Sequence, residues 1–497
     1  MHCDEGNQAV RAGLLLETGQ YRYDPQEHHG PTLYWLTLPS LWVRGVHTLA
    51  QSSEADYRIV PVLFGAATIA VLALLADGIG WPAVLLASLL VALSPAMVFY
   101  SRYYVQESLL VFFTVGAMGC AWRCVRSRSL VWAAASGLCF GLMHATKETW
   151  ILAAAAMVAA VVLNRFWNRW AEGPGCMPRP WPDVRPLSIG LAAAVLVAVA
   201  LYSSLGTNLR GPLDSLLAYG TYFHRGNEGG IHAHPWYYYL ELLVAFRPSR
   251  GFFWSEGLIV GLALVGAIVS LWPRLLNEPQ RSCSRFLAIY TLVLTGLYSA
   301  IPYKTPWCLL SFLTGMTLLA GLGAWTILRL VPSGIGRLAV GALLAAGLIH
   351  LGYETYWLNF RLPTDPRNPY VYAHTSPDLL NLATRLERLA RVSPQGHAVT
   401  IHVVTPENYW PLPWYLRRFD QRNTGYWQDP AAWKRQSPAL PVPDVLIVTP
   451  DARAAVDSGL RAAYNRQSLY GLRPGVLLAV YVREELWQSL LGQTASP

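Results

Sequence analysis

Ten runs of mostly apolar residues, at 59–76, 81–100, 104–122, 130–146, 149–163, 187–205, 252–272, 286–301, 307–328 and 338–352, dominate this sequence. A bilayer core of about 30 Å takes about 20 apolar residues of helix to cross. The backbone of such a segment must satisfy its own hydrogen bonds, which selects the helix. The shorter runs can reach both interfaces with aromatic or snorkelling ends. Charge is correspondingly scarce: 13% of the 497 residues are charged and 53% are hydrophobic, against about a quarter charged in soluble domains. These values exclude a water-soluble enzyme of one or two compact domains, and they exclude disorder. The net charge of +9 lies largely in short loops between apolar runs, so nucleic acid is not an expected partner. The seven cysteines show no paired spacing and none follows Cys308. The polar tail therefore carries no disulfide, and no CxxC pair signals a zinc site.

Orientation follows from the basic residues of the short loops. Those at 123–128, 164–186, 273–285 and 329–337 all carry arginine, and one alternating path puts all four in the cytoplasm. It leaves 1–57, 101–103, 147–148, 206–251, 302–306 and everything from Tyr353 on the outer side. The expected fold class is a polytopic α-helical membrane protein of the plasma (inner) membrane with an extracytoplasmic C-terminal α/β domain. Residues 1–57 read as an outer loop holding an interfacial helix at Thr32–Val43, residues 58–352 as a membrane domain of about ten helices, and 353–497 as the soluble domain. Within the last, a helical pattern at 377–391 precedes apolar strands at 398–404, 444–449 and 476–482. No GxGxxG or Walker loop is present to bind a nucleotide.

The outer side collects the unusual residues. Asp4-Glu5 precedes the interfacial segment; such a pair is commonly just solvated, but a carboxylate there can also act as a general base. Lys147-Glu148 interrupts an apolar stretch, either as a tight turn holding a neighbouring ion pair or as a point charge for a phosphate. Arg102 closes Tyr100-Ser101 and either snorkels or meets phosphate, while Glu107 lies one turn into the next span and calls for Arg102 or a ligand hydroxyl as partner. Arg250 stands just before another span. Tyr303-Lys304-Thr305 is pinned between Pro302 and Pro306, a rigid mount for a lysine. His232 and His234 lie in a glycine-rich stretch; this spacing is a weak pointer to a divalent metal, and no metal or other cofactor is expected.

In this order the motifs resemble the GT-C class of integral-membrane glycosyltransferases, and more closely the protein-mannosyltransferase-like family of archaea and bacteria that includes a flippase-activity-associated protein. The resemblance rests on Asp4-Glu5, the stretch Leu15 to Pro25 with Tyr23-Asp24-Pro25, His29-Gly30-Pro31, Ser94-Pro95, Tyr100-Ser101-Arg102, Ala145-Thr146-Lys147-Glu148, Tyr303-Lys304-Thr305-Pro306-Trp307 and Trp410-Pro411-Leu412-Pro413-Trp414-Tyr415. It implies inverting transfer of a sugar from a polyprenyl-phosphate donor to a hydroxyl of a protein, lipid or glycan acceptor at the outer face. Asp4 is then the expected base with Glu5 beside it. Arg102, Lys147, Lys304 and Arg250 are expected at the donor phosphate, and Glu107, Glu148, His29 and Tyr303 at substrate hydroxyls. Family members lead into the acidic pair through a transmembrane helix, whereas here the pair follows Met1-His2-Cys3 directly, which suggests a start further upstream and eleven spans. Two other readings are a transporter or flippase and a non-catalytic assembly partner. Ionisable residues at span ends, with no clear internal repeat, count against the transporter and leave the assembly partner as the alternative.

Overall fold

A computed structural model describes residues 1–26, 29–171, 184–227, 232–248, 253–272 and 274–494. Its helices are, in chain order, α1 (Cys3–Thr18), α2 (Thr32–Val43), α3 (Glu54–Val71), α4 (Ala76–Ile79), α5 (Trp81–Leu93), α6 (Pro95–Ser101), α7 (Glu107–Ser127), α8 (Leu130–Thr146), α9 (Trp150–Ala171), α10 (Val184–Tyr202), α11 (Gly211–Asn227), α12 (Tyr238–Val244), α13 (Gly257–Ser270), α14 (Glu278–Ala300), α15 (Leu310–Leu330) and α16 (Gly334–Tyr356). Contacts group the chain into two units. One comprises Gln20–Ser40 and Tyr57–Tyr372, the other Met1–Gly19, Leu41–Asp56 and Ala373–Pro497.

In the larger unit, each of the ten apolar runs falls on a helix over most of its described residues. Among the described residues seven helical segments are long and apolar enough to cross a membrane, including Glu54–Ile79, which joins α3 to α4. The pair α5 and α6 makes an eighth if counted as one span bent by 62°, and α8 and α13 are shorter apolar helices. The protein is thus a multi-pass membrane protein. The bend falls where Pro95 removes a backbone donor and disfavours a helical Ser94. Ser94 instead caps α6, accepting from the Met97 N–H at 3.3 Å. The buried Glu256 carboxylate fixes the corner: it accepts from the Ser94 hydroxyl at 2.5 Å, the Ala96 N–H at 2.9 Å and the Tyr370 hydroxyl at 2.6 Å. Lipid provides little hydrophobic drive between helices, so close backbone approach matters. Helix α8 meets α10 in this way: a Cβ on Gly137 would lie 1.9 Å from the Gly190 carbonyl oxygen.

The smaller unit holds a five-stranded sheet of order β2-β1-β3-β5-β4, with β1 (Ile401–Val404), β2 (Thr424–Trp427), β3 (Val445–Val448), β4 (Tyr464–Arg473) and β5 (Val476–Arg483). Strand β1 runs parallel to β2 and β3, while β5 is antiparallel to β3 and β4. The central strands β1 and β3 are wholly buried and apolar apart from His402, as expected for strands covered on both faces. Helix α17 (Asp378–Val392) lays Leu379, Leu382, Leu386 and Leu389 on one face against Ile401, Val403, Val445 and Ile447. Trp433 and Val456 cover the other face with Val404, Leu446 and Val448. Helix α1 belongs to this unit. His2 and Glu5 form its capping box, and its C-cap Gly19 takes φ +67°.

Candidate active site

The break between α8 and α9 organises the polar interior of the membrane unit. Lys147 is extended (φ −158°, ψ 141°), so Lys147 and Glu148 point to different partners. The Lys147 ammonium forms an ion pair with Glu107, the first residue of α7, and both side chains are buried. Glu107 was expected to meet Arg102 or a ligand hydroxyl; the side chain it pairs with is Lys147. The other Glu107 oxygen, Oε2, is buried and has no hydrogen-bond partner among the described residues. Glu148 does not pair with its neighbour. Its Oε2 lies 2.7 Å from His29 Nδ1, and its Oε1 accepts from the Tyr23 hydroxyl at 2.9 Å.

These contacts give the Tyr23-Asp24-Pro25 and His29-Gly30-Pro31 motifs a physical reason. The segment passes hard against the end of α8, where a Cβ on Gly30 would lie 2.2 Å from the Ala145 carbonyl oxygen. Tyr21 donates to the His29 carbonyl at 3.2 Å and steadies the loop. Burial works to raise the Glu148 carboxyl, but His29 and Tyr23 outweigh it and hold the group below the usual carboxylate range. Burial likewise pulls Lys147 down, and the Glu107 carboxylate more than reverses this, keeping the ammonium above the usual lysine range.

Lys304 occupies a second station. Its Nζ donates to the carbonyls of Ile301 and, at 3.2 Å, His234, while its N–H donates to the His232 carbonyl at 2.9 Å. An antiparallel bridge between Ala233 and Tyr303 clamps the two loops together. The Tyr303 ring lies 4.6 Å from that of His232, whose Nδ1 is 2.5 Å from the Tyr372 hydroxyl. His234 stacks on Tyr238 at 4.1 Å. The histidines thus serve ring packing and hydrogen bonding, and among the described residues they do not converge with a third metal-ligating side chain. Burial lowers the Lys304 ammonium, which favours an incoming anion as counter-charge.

Arg102 has a different engagement: it donates to the Asn359 carbonyl at 2.5 Å and lies over Phe360, 4.6 Å from the ring centroid. Arg250 lies outside the described residues. In the smaller unit, Asp4 and Glu5 sit in the first turn of α1. Glu5 is fully buried, its Oε2 accepting from the His2 N–H at 2.8 Å, whereas 45% of the Asp4 side chain is exposed.

Sequence reasoning did not single out His144, Trp150 and Tyr219. The Tyr219 hydroxyl accepts from Trp150 Nε1 at 2.6 Å and lies 3.1 Å from His144 Nδ1. His144 and Trp150 stand three residues either side of Lys147 and close a cavity of about 520 Å³. It runs between α7, α8 and α10, from Cys124, Val125 and Pro186 at one end to Ala198 and His144 at the other, with an almost wholly apolar lining. An apolar stretch ending on a lone histidine carries no periodic signal for such a groove.

A family model described as dolichyl-phosphate-mannose-protein mannosyltransferase matches residues 38–205. Among solved structures, ArnT from Cupriavidus metallidurans is 14% identical and aligns over 96% of this chain and 93% of its own. Its TM-score is 0.58 in the apo state and 0.59 bound to undecaprenyl phosphate. The fold is GT-C. The same GT-C architecture appears in the oligosaccharyltransferase AglB from Archaeoglobus fulgidus, solved with an inhibitory peptide and a dolichol-phosphate; it is 13% identical, over 98% of this chain and 73% of its own, with a TM-score of 0.51. At these identities the likeness is one of fold. No curated protein sequence matches the chain.

Proposed function

We propose that this GT-C protein is a membrane glycosyltransferase that moves a sugar from a polyprenyl-phosphate carrier to an acceptor hydroxyl at the outer face of the plasma membrane, where its sheet unit also lies. The observation that carries this reading is the apolar groove ending on the two residues that flank the Lys147-Glu148 turn. A lipid chain in the groove brings its phosphate to the level of a buried lysine. Bilayer and groove are both apolar, so selection rests on shape and on the phosphate rather than on hydrophobic transfer. The lipid phosphates held by the ArnT and AglB structures support a donor of this kind.

The chemistry is a single displacement. The acceptor oxygen attacks the anomeric carbon as the bond from that carbon to the phosphate oxygen breaks, inverting the centre and releasing polyprenyl phosphate. Lys147 and Lys304 neutralise the leaving phosphate, with Arg250 as a further cation. Arg102 is a further cation for that phosphate. Fixed cations count most where water is excluded. Tyr303, Glu148 and His29 orient sugar hydroxyls. Lys147 holds the Glu107 carboxylate, whose free Oε2 accepts from another. Asp4 takes the acceptor proton, its exposed carboxylate being the only one of the acidic pair open to a substrate. The acceptor is a protein, lipid or glycan hydroxyl.

The test supplies membranes containing the protein with a polyprenyl-phosphate sugar and follows sugar transfer. Asp4→Asn is expected to lower kcat about 10²- to 10⁴-fold, the usual contribution of a general base. Undiminished transfer by this variant rejects the base assignment, and no consumption of any lipid-phosphate sugar by the wild type rejects the reaction.

A further inference from the structure

The groove between α7, α8 and α10 has few polar side chains in its lining, and their hydrogen bonds can be followed one by one. Cys124, a weak donor, lies at the end far from His144. Ser136 donates to the Ala117 carbonyl at 3.1 Å, and Trp150 Nε1 donates to the Tyr219 hydroxyl at 2.6 Å. His144 meets two residues one turn apart on α11. Its Nδ1 is 3.1 Å from the Tyr219 hydroxyl, and its Nε2 is 3.4 Å from the Ser215 hydroxyl oxygen.

These partners fix the tautomer of the neutral ring. A tyrosine hydroxyl has one proton to give. That of Tyr219 accepts from Trp150, so its own proton goes to His144 Nδ1. The Ser215 hydroxyl donates to the Pro212 carbonyl at 2.7 Å, so toward the ring it accepts. The single N–H of the imidazole therefore sits on Nε2. An N–H···O bond normally spans about 2.7–3.2 Å, so at 3.4 Å this N–H is held loosely, whereas the Ser136 and Trp150 donors are held at full strength. Glu148 is close enough to act on both His144 and Tyr219, but its two oxygens are turned to His29 and Tyr23. Among the described side chains of the lining, the His144 N–H is thus the strong donor left weakly engaged, one turn before Lys147.

We propose that His144 selects the phosphate of the carrier: when a polyprenyl chain fills the groove, the Nε2–H exchanges Ser215 for a phosphate oxygen. This rests on the polyprenyl-phosphate reading above and adds a residue that tells a phosphate from an alcohol on the same chain. The bond given up is long and weak, while a hydrogen bond to a charged acceptor is about twice as strong as one between neutral groups. Tyr219 is a positioning residue, because a proton on Nδ1 instead would present the phosphate with a lone pair. The Tyr202 hydroxyl, donating to the His144 carbonyl at 2.9 Å, steadies the residue from α10.

Full-length protein in mixed micelles is titrated with undecaprenyl phosphate and with undecaprenol, which shares the chain and lacks the phosphate. The wild type is expected to prefer the phosphate. His144→Leu and His144→Asn are expected to weaken phosphate binding about tenfold or more, the size of a hydrogen bond to a charged group, and to leave undecaprenol within about twofold. His144→Gln, whose amide can donate from near the Nε2 position, is expected to keep most of the preference. Tyr219→Phe, which lets Nδ1 take the proton, is expected to cost about threefold for the phosphate alone. A wild type without the preference overturns the carrier reading and this proposal with it. A wild type with the preference, kept by His144→Leu and His144→Asn, overturns the role of His144 alone. Equal losses for both lipids overturn it as well, because they mark a collapsed groove rather than a lost phosphate contact.

Discussion

Lys147→Met tests how much of the membrane unit rests on one charge pair. Lys147 is 5% exposed and Glu107 2%. One Glu107 oxygen already lacks a partner among the described residues, so the ammonium is the charge that keeps this carboxylate tolerable in the interior. Removing one partner of a buried pair costs about 3–5 kcal/mol, because the other is left uncompensated, whereas replacing both by neutral groups of like volume is close to neutral. Lys147→Met should therefore shift the folded-to-unfolded ratio by about 10²- to 10⁴-fold. Glu107→Gln should cost a similar amount by stranding the ammonium, and the double variant should recover to within about 1 kcal/mol of the wild type. Denaturant titration in mixed micelles, followed by tryptophan emission, measures all four proteins. The double variant then separates folding from chemistry. It should be folded yet transfer sugar about 10²-fold more slowly, as expected when a fixed cation is lost from a developing phosphate charge. Single variants within 1 kcal/mol of the wild type refute the buried pair. A folded double variant with wild-type transfer refutes the phosphate role of Lys147.

Two further outcomes follow from the groove and from the sheet. Ala198→Trp places an indole in the cavity beside His144. It should raise the KM for a long-chain polyprenyl-phosphate sugar about tenfold, about 1.4 kcal/mol, and leave a donor of two isoprene units nearly unchanged; equal effects on both donors reject the groove as the chain's seat. His402 is buried in β1, accepts from Trp433 Nε1 at 3.2 Å, and has its imidazole lowered from 6.5 to about 4, first by burial and then by Arg461. Between those values the unfolded chain binds the proton and the folded one does not, so stability falls as pH drops from 6.5 towards 4, by up to about 3 kcal/mol. Amide exchange of β1 and β3, corrected for intrinsic rates, should show this loss, and His402→Gln should flatten it.

What was legible in the sequence tracks how local the governing physics is. The apolar runs were readable because a bilayer sets a length and a polarity that each helix meets by itself. The bend between α5 and α6 follows from Pro95, but the carboxylate that fixes it, Glu256, comes from far along the chain. Strands β1, β3 and β5 announced themselves as apolar runs. Strands β2 and β4 did not, because edge strands such as Thr424–Trp427 and Tyr464–Arg473 alternate or mix polarity. Helix α1 was missed because the face it buries mixes small and polar residues, Glu5, Gly6, Gln8, Ala9, Ala12 and Gly13, with a single leucine, Leu15. In the site, residue types were readable and partners were not. Glu107 meets a lysine 40 positions away, and Glu148 a histidine 119 positions away.

The two charges at the α8–α9 break show why adjacency in sequence misleads here. Had Lys147 and Glu148 continued the helix, neighbouring side chains would have stood about 100° apart and both ends would have sought solvent. The extended Lys147 turns them to different partners, and each then needs a counter-charge or hydrogen bonds of its own in an interior that cannot solvate it. Glu107 and His29, both earlier in the chain, supply these. The outcome is a pair of ionic contacts built around one extended residue, which explains the demand for glycine at Gly30: any side chain there would push the His29 loop off Glu148. It also sets the condition for donor binding. Lys147 is already satisfied by Glu107, so a phosphate gains only the difference between two anions competing for one ammonium. Affinity for the carrier must then come largely from the groove and from Lys304, while Lys147 contributes most when the bond to the sugar breaks and the phosphate charge rises.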